Sequence, residues 1–252
     1  MIETLAFSMI FNIVMFLVAF RYKTDKLTDM SYALTFIGIV AFGVVSNDMT
    51  TVKWLMAMVV VAWALRLGGY LLIRIHKMGR DKRFDKRRNS FTAFGGFWLL
   101  QGLTSWVVML PVTLLLGSGA TSLELMVAVG LGVSVVGILV EGSADMQKFR
   151  FINNRKNKGK WIDTGLWRYS RHPNYFGEIL MWIGASLVAY QYIDGIDKLF
   201  AAAGPLFIIL MLTRVSGIPL LEKSADERWG KDKKYQEYKR NTSVLLLLPK
   251  GH

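Results

Sequence analysis

Long apolar runs, separated by short polar segments, set the pattern of this chain. "LAFSMIFNIVMFLVAF" near the start, "FWLLQGLTSWVVMLPVTLLLG" from Phe97 and "LMVAVGLGVSVVGILV" from Leu125 are the clearest. A bilayer-spanning helix takes about 20 mostly apolar residues. The pattern predicts seven such spans, over about 4–20, 31–47, 53–75, 94–117, 123–143, 174–193 and 199–220. The first run has no basic residue ahead of it and no small-residue cleavage site before Arg21, so it reads as a span and not as a signal peptide. The expected fold class is all-α, a polytopic integral membrane protein. A single membrane domain is expected over 1–252, with 1–50 as an N-terminal two-span segment and 53–252 as a five-span core.

Polar positions inside the spans fall on consistent faces. In the third span Trp63, Arg66, Tyr70, Arg74 and Lys77 recur every three or four residues and form one stripe. Arg74 and Lys77 reach the interface by snorkelling. Arg66 lies deeper and needs a carboxylate or a ligand anion. In the fourth span Gln101 shares a face with Thr104 and Ser105, open either to a site role or to hydrogen bonding between helices. The fifth ends "LVEGSADMQKF", with Glu141 and Asp145 one turn apart and Lys148 following. The seventh contains "TRVSGIPLLEK", in which Arg214 is buried by position, Glu222 follows on the same side and Pro219 is expected to kink the helix or free a carbonyl. Polar residues from four spans at one depth predict a pocket opening on that side of the membrane.

The net charge of +13 adds orientation to this picture. Basic residues collect in alternate loops: Arg21, Lys23 and Lys26; Lys77 with Arg80, Lys82, Arg83, Lys86, Arg87 and Arg88; Lys148 to Arg171; and a cluster after Glu222. The opposite loops hold little beyond Lys53 and Lys198. The positive-inside rule then puts the N-terminus outside, and the C-terminus and the pocket in the cytoplasm. Charge sorted by topology is orientation and contact with anionic lipid, and nucleic acid is not an expected partner. There are no cysteines, and the three histidines, His76, His172 and His252, are far apart, so no metal site is expected. Neither a dinucleotide fingerprint nor a phosphate loop is present.

One stretch concentrates the candidate chemistry. In "GLWRYSRHPNYFGEILMW", Gly165–Trp182, Pro173 suits the first position of a helix. Asn174, Tyr175 and Glu178 then occupy the opening turns, where backbone amides are unpaired, and Arg168, Arg171 and His172 stand just before them. The arrangement suits anionic groups, with Asn174 and Glu178 available to hydroxyls or an amide.

"DTGLWRYSRHPNYFGEILMW", "GRDKRFDKRR", "FWLLQG", "EGSADMQKFRF" and the late "RVSGIPLLEK" and "YQEYKRNTSVLLLLP" together resemble DUF1295. This is a family of bacterial membrane proteins of unknown function within the steroid 5-alpha-reductase C-terminal and isoprenylcysteine methyltransferase-like superfamily. The resemblance runs from about Arg66 onward. It implies either of two chemistries. Reductases of this superfamily use NADPH to reduce an activated carbon–carbon double bond in a lipid, and carry an N-Y-F-G-E run like Asn174–Glu178, an acid like Asp145 and an L-Q-G like that at Gln101. Methyltransferases of the isoprenylcysteine and phospholipid type use S-adenosylmethionine, and carry R-H-P-x-Y followed by an acid and Y-x-x-Y, like Arg171, His172, Pro173, Tyr175, Glu222, Tyr235 and Tyr238.

The reductase is the favoured reading. It implies Asp145, Asn174 and Glu178 at the nicotinamide and ribose, and Lys160, Arg168, Arg171 and Arg214 at the phosphates. Tyr169, His172, Tyr175, Glu222, Tyr235 and Tyr238 complete the cofactor set. Trp63 and Glu141 fall on the substrate side. Tyr70, sharpened by Arg66 one turn before it, is the expected donor to the substrate carbonyl, with Gln101 as a further catalytic candidate. Alternatively Tyr70 packs and Arg66 pairs with Glu141 or Glu178. The glutamate with which steroid reductases grip their substrate has no match, and Trp63 stands where their tyrosine is, so steroid itself is not the expected substrate. In the methyltransferase reading Glu178 or Glu222 holds the cofactor amine, and Arg171 and His172 its carboxylate. A non-enzymatic lipid-binding protein is the third possibility. The expected location is the bacterial inner membrane, with membrane lipids and a hydrophobic small molecule as partners.

Overall fold

The first helix is built inside out. In α1 (Ile2–Arg21) the buried positions are Thr4, Ser8, Asn12, Phe16 and Ala19, while Ile10, Ile13, Val14, Leu17 and Val18 are exposed. A helix that hides hydroxyls and amides and displays aliphatics is surrounded by lipid, not water. The computed structural model describes residues 1–78 and 87–249; the basic residues Arg80, Lys82, Arg83 and Lys86 lie outside the described residues. After α1 come α2 (Lys26–Ser46), α3 (Thr51–Met78), α4 (Phe91–Val108), α5 (Leu110–Gly117), α6 (Leu125–Asn153), α7 (Pro173–Tyr190), α8 (Asp197–Leu210), α9 (Ile218–Trp229) and α10 (Lys233–Asn241).

Five stretches among the described residues are long and apolar enough to cross a membrane: α1, α2, Thr51–Lys77 in α3, α6, and Asp197–Trp229. The pair α4 and α5 qualifies together as a sixth, with a bend of 48° between them. The protein is therefore an all-α, membrane-embedded chain.

Three expectations change. The span over 94–117 is not one rod: Pro111 stands in the first turn of α5, where its missing N–H and its ring end the α4 ladder. The span over 199–220 does not kink at Pro219. It widens into a π-helical turn, Met211–Val215, and Pro219 instead opens α9, where the first amides need no partner. Finally, α7 forms as expected, but Asn174, Tyr175 and Glu178 dilute its apolar content and it is not among the candidate spans.

The chain divides into two compact units, Met1–Gly132 with Gly184–Phe207, and Val133–Ile183 with Ile208–His252. In the first unit α2 packs on α3 and α1 on α4. Phe36 meets Trp63 edge to face at 4.9 Å, and Phe16, Phe94 and Trp98 form an aromatic cluster. A buried polar seam ties three helices together. The Gln101 amide donates to Asn12 Oδ1 (3.0 Å) and to the Thr28 carbonyl (3.3 Å), Asn12 Nδ2 donates to Thr35 Oγ1 (3.0 Å), and Ser8 Oγ donates to the Gly102 carbonyl (2.8 Å). Arg74 pairs with Asp29 at 3.1 Å, and Arg88 with Asp25 at 3.3 Å, so the end of α3 and the residues before α4 are tied to the start of α2.

In the second unit α6 and α7 cross with no side chain between them. A Cβ at Gly177 would lie 2.5 Å from the Glu141 nitrogen and 2.6 Å from the Gly137 carbonyl; one at Gly137 would lie 2.5 Å from the Met181 nitrogen. Ser134 Oγ donates to the Met181 carbonyl at 3.0 Å beside this crossing. Two glycines thus let the backbones touch, which sets Glu141 and Glu178 at the junction.

Candidate functional site

The site grows from the segment that leads into α7. Gly165 adopts φ +61°, a conformation open to glycine, with the Gln147 side chain pressed against it and accepting from the Leu166 amide at 2.9 Å. Trp167 is buried and donates from Nε1 to the Ala144 carbonyl at 3.0 Å, while Lys148 Nζ lies 4.5 Å above its ring. The segment is also bound to the far end of the chain. Ser170 and Ser243 form a parallel bridge, the Arg171 amide donates to the Ser243 carbonyl at 2.9 Å, and Ser170 Oγ donates to the Leu245 carbonyl at 2.8 Å.

These ties present Arg171 and His172 to α9. His172 Nε2 lies 2.9 Å from Glu222 Oε1, Arg171 reaches Glu222 Oε2 at 3.3 Å, and Lys239 Nζ stands 3.5 Å from the same oxygen. Lys239 also bonds both oxygens of Asp226 at 2.7 Å, and its backbone carbonyl accepts from Arg171 Nη1 at 2.9 Å. A carboxylate only accepts, so the neutral imidazole carries its hydrogen on Nε2 and presents Nδ1 as an acceptor. Burial pushes the His172 pKa down; the hydrogen bond and charge of Glu222 oppose that without reversing it, so the ring is neutral at pH 7. The Tyr175 ring stacks on His172, with centroids 5.7 Å apart and planes 11° apart, and rests on Gly217, where a Cβ would meet it at 2.9 Å.

Two atoms of this cluster stay unsatisfied. Arg171 Nε and His172 Nδ1 are buried and have no hydrogen-bond partner among the described residues. Trp161, Trp229 and Tyr235 meet as an aromatic cluster, and Tyr238 donates to the Trp167 carbonyl at 2.8 Å. Burial pushes the Tyr235 phenol up to about 12 and the Tyr238 phenol up as well, so both remain hydrogen-bond donors through the physiological range.

Of the residues singled out in the sequence, Arg171, His172, Tyr175, Glu222, Tyr235 and Tyr238 come together here. Glu141, Asp145 and Glu178 are buried at the α6–α7 junction, 2%, 5% and 9% exposed. Asn174 is half-buried in the first turn of α7, and Lys160, Arg168 and Tyr169 are exposed on the segment before it. Arg214, expected to be buried, is exposed: the π-helical turn swings its position outward from the regular helical face. Trp63, Arg66, Tyr70 and Gln101 belong to the other unit. Trp63 is fully buried, Arg66 and Tyr70 are half-buried, and the Gln101 amide serves the seam to Asn12 and Thr28. Sequence reasoning missed Lys239 and Asp226. Their signal is in the spacing: Asp226 is one turn beyond Glu222, and Lys239 one turn beyond Tyr235. Among the described residues no group of three or more histidine, cysteine, aspartate or glutamate side chains is set to hold a metal ion.

Residues 15–242 match the family described as Protein of unknown function (DUF1295). That match covers most of the chain, and the chain belongs to this family. No curated protein and no solved structure matches it.

Proposed function

We propose that this member of the DUF1295 family is an NADPH-dependent reductase of an activated carbon–carbon double bond in a lipid-like substrate. It works in a bacterial inner membrane, with its cofactor side facing the cytoplasm. The observation that carries the proposal is the pair of orphaned atoms at the motif. Arg171 Nε is a buried N–H without an acceptor, and His172 Nδ1 is a buried acceptor without a donor. A buried polar atom left unpaired costs free energy of about 1–3 kcal/mol. A ligand with an anionic oxygen beside a hydroxyl satisfies both, and a phosphorylated ribose is such a group. Lys160 and Arg168, exposed on the same segment, suit the several phosphates of a dinucleotide better than the single carboxylate of S-adenosylmethionine.

When bound, NADPH supplies a hydride to the β carbon of the substrate. Arg171, Arg168 and Lys160 would hold its phosphates, and Asp145, Asn174 and Glu178 would orient its nicotinamide and ribose. His172, held by Glu222 and Tyr175, accepts from a ribose hydroxyl. A second reading, methyl transfer from S-adenosylmethionine, draws on the three buried carboxylates Glu141, Asp145 and Glu178, which suit a sulfonium and an amine.

Thermal unfolding of the purified protein with each cofactor separates the two. NADPH is expected to raise the midpoint more than NADH does, by the equivalent of about 2.7 kcal/mol at a hundredfold excess over Kd. Glu178→Gln is expected to weaken NADPH binding by about 1.5–3 kcal/mol and to leave the ligand-free protein nearly as stable. Glu124→Gln, at the exposed entry to α6, serves as the control. Stabilisation by S-adenosylmethionine alone selects the methyltransferase, and stabilisation by neither rejects both enzymes.

A further inference from the structure

Residues 243–248 form an irregular, bent strap along which half-buried and exposed residues alternate. Ser243, Leu245 and Leu247 are half-buried against the segment that leads into α7, while Val244, Leu246 and Leu248 point away and are 41%, 51% and 39% exposed. These three aliphatics, displayed within five residues, give the strap an apolar outer edge. The Leu248 amide donates to the Tyr169 carbonyl at 3.3 Å, and Tyr169 is itself 42% exposed. Exposed arginines flank the edge at both ends: Arg168 beside Tyr169, and Arg240 in the last turn of α10.

The depth of this edge follows from α6. Ala144, whose carbonyl holds Trp167, is the twentieth residue of that helix. At 1.5 Å per residue it lies about 28 Å along the axis from Leu125. The hydrocarbon core of a bilayer is about 30 Å thick. The hydrogen bond from Trp167 therefore fixes the following residues, and the strap bound to them, where a span starting at Leu125 meets the headgroups. Tyrosine and tryptophan favour that layer, and arginine there faces anionic lipid. The inner edge of the strap is hydrogen-bonded to residues 169–171, and water at the headgroups serves its outer backbone groups.

We propose that the strap 243–248 is a membrane-surface element. Val244, Leu246 and Leu248 insert at the level of the headgroups, and Arg240 meets the anionic groups of the lipid. The edge is then a lipid-binding surface beside the entrance to α7. It rests on burial and depth alone and stands whether or not a cofactor binds.

The chain has no cysteine, so one introduced residue reports on one place. Leu246→Cys, with Glu237→Cys on the polar helix α10 as the aqueous control, is labelled with an environment-sensitive fluorophore. Each protein is then reconstituted into vesicles of phosphatidylcholine, with and without phosphatidylglycerol. The expected result is blue-shifted emission at position 246, quenched by spin-labelled lipid about twofold or more above the control, and more strongly when phosphatidylglycerol is present. Val244→Cys repeats the measurement if Leu246→Cys inserts poorly. Iodide quenching at 246 equal to that at 237 overturns the proposal. So does quenching by lipid that is the same in both vesicles. Self-quenching relieved by unlabelled protein also overturns it, since it identifies a second copy of the chain as the occupant of the edge.

Discussion

His172 gives up its proton more readily than an exposed imidazole, because burial penalises the cation more than the Glu222 hydrogen bond and charge favour it. As pH falls through the ordinary value of 6.5, the unfolded chain takes up this proton before the folded one does. The stability that neutral His172 contributes is therefore complete above that pH and is lost as pH falls below it. Thermal unfolding of the parent is expected to show a midpoint that drops as pH falls below 6.5, and His172→Gln is expected to flatten that slope. A slope unchanged by the substitution would assign the acid sensitivity to other groups. At this scale the motif was readable but its internal pairing was not. Arg171, His172 and Glu222 carry the residue types of a ligand site, and periodicity alone does not say that the chain's own carboxylate takes both donors. Lys239 was harder still: it is one of many lysines in a basic tail, and only the turn from α9 to α10 brings it to Glu222 and Asp226.

Among the elements, the α6–α7 crossing depends most on a single atom. The Cβ of Gly177→Ala would strike the backbone of Glu141 and Gly137, which no rotamer change relieves. The variant is expected to lose about 1–3 kcal/mol and to bind cofactor more weakly, because Glu141 and Glu178 separate as the helices part. Gly132→Ala, on α6 with open space around it, is the control and is expected to gain up to about 1 kcal/mol of helix propensity. Equal midpoints for the two variants would show that the crossing is loose. The helices themselves were legible, since apolar runs give their existence and length. The breaks were less so. Pro111 and Pro219 are both visible in the sequence, yet proline inside an apolar run kinks one helix or starts the next. The choice is made by packing, as at Gly204, which fits against Pro111. Gln101 was ambiguous for the same reason: its partners Asn12 and Thr28 come from helices far away in sequence.

For the whole molecule, lipid exposure explains what composition could only suggest. Aliphatics outside and hydroxyls inside, as on α1, is a distribution that water would not tolerate and a bilayer favours. The alternation of basic loops predicts the direction of insertion, and a reporter fused after His252 is expected to be active only on the cytoplasmic side. Activity on the opposite side would reverse the proposed orientation and put the Arg171 cluster outside the cell. The tie between the α7 entrance and the strap has a consequence for biogenesis. The residues that embrace Arg171 and Ser170 follow them by 68 and 75 positions. At about 5–20 residues per second, a ribosome needs roughly 4–15 s to cover that distance. The helices before α7 are already made at the start of that interval, while the arginine and histidine that head it wait 50 positions for their carboxylate and the full interval for Lys239 and the strap. The membrane scaffold can thus assemble vectorially, helix by helix, whereas the chemistry-bearing corner waits for the last stitch.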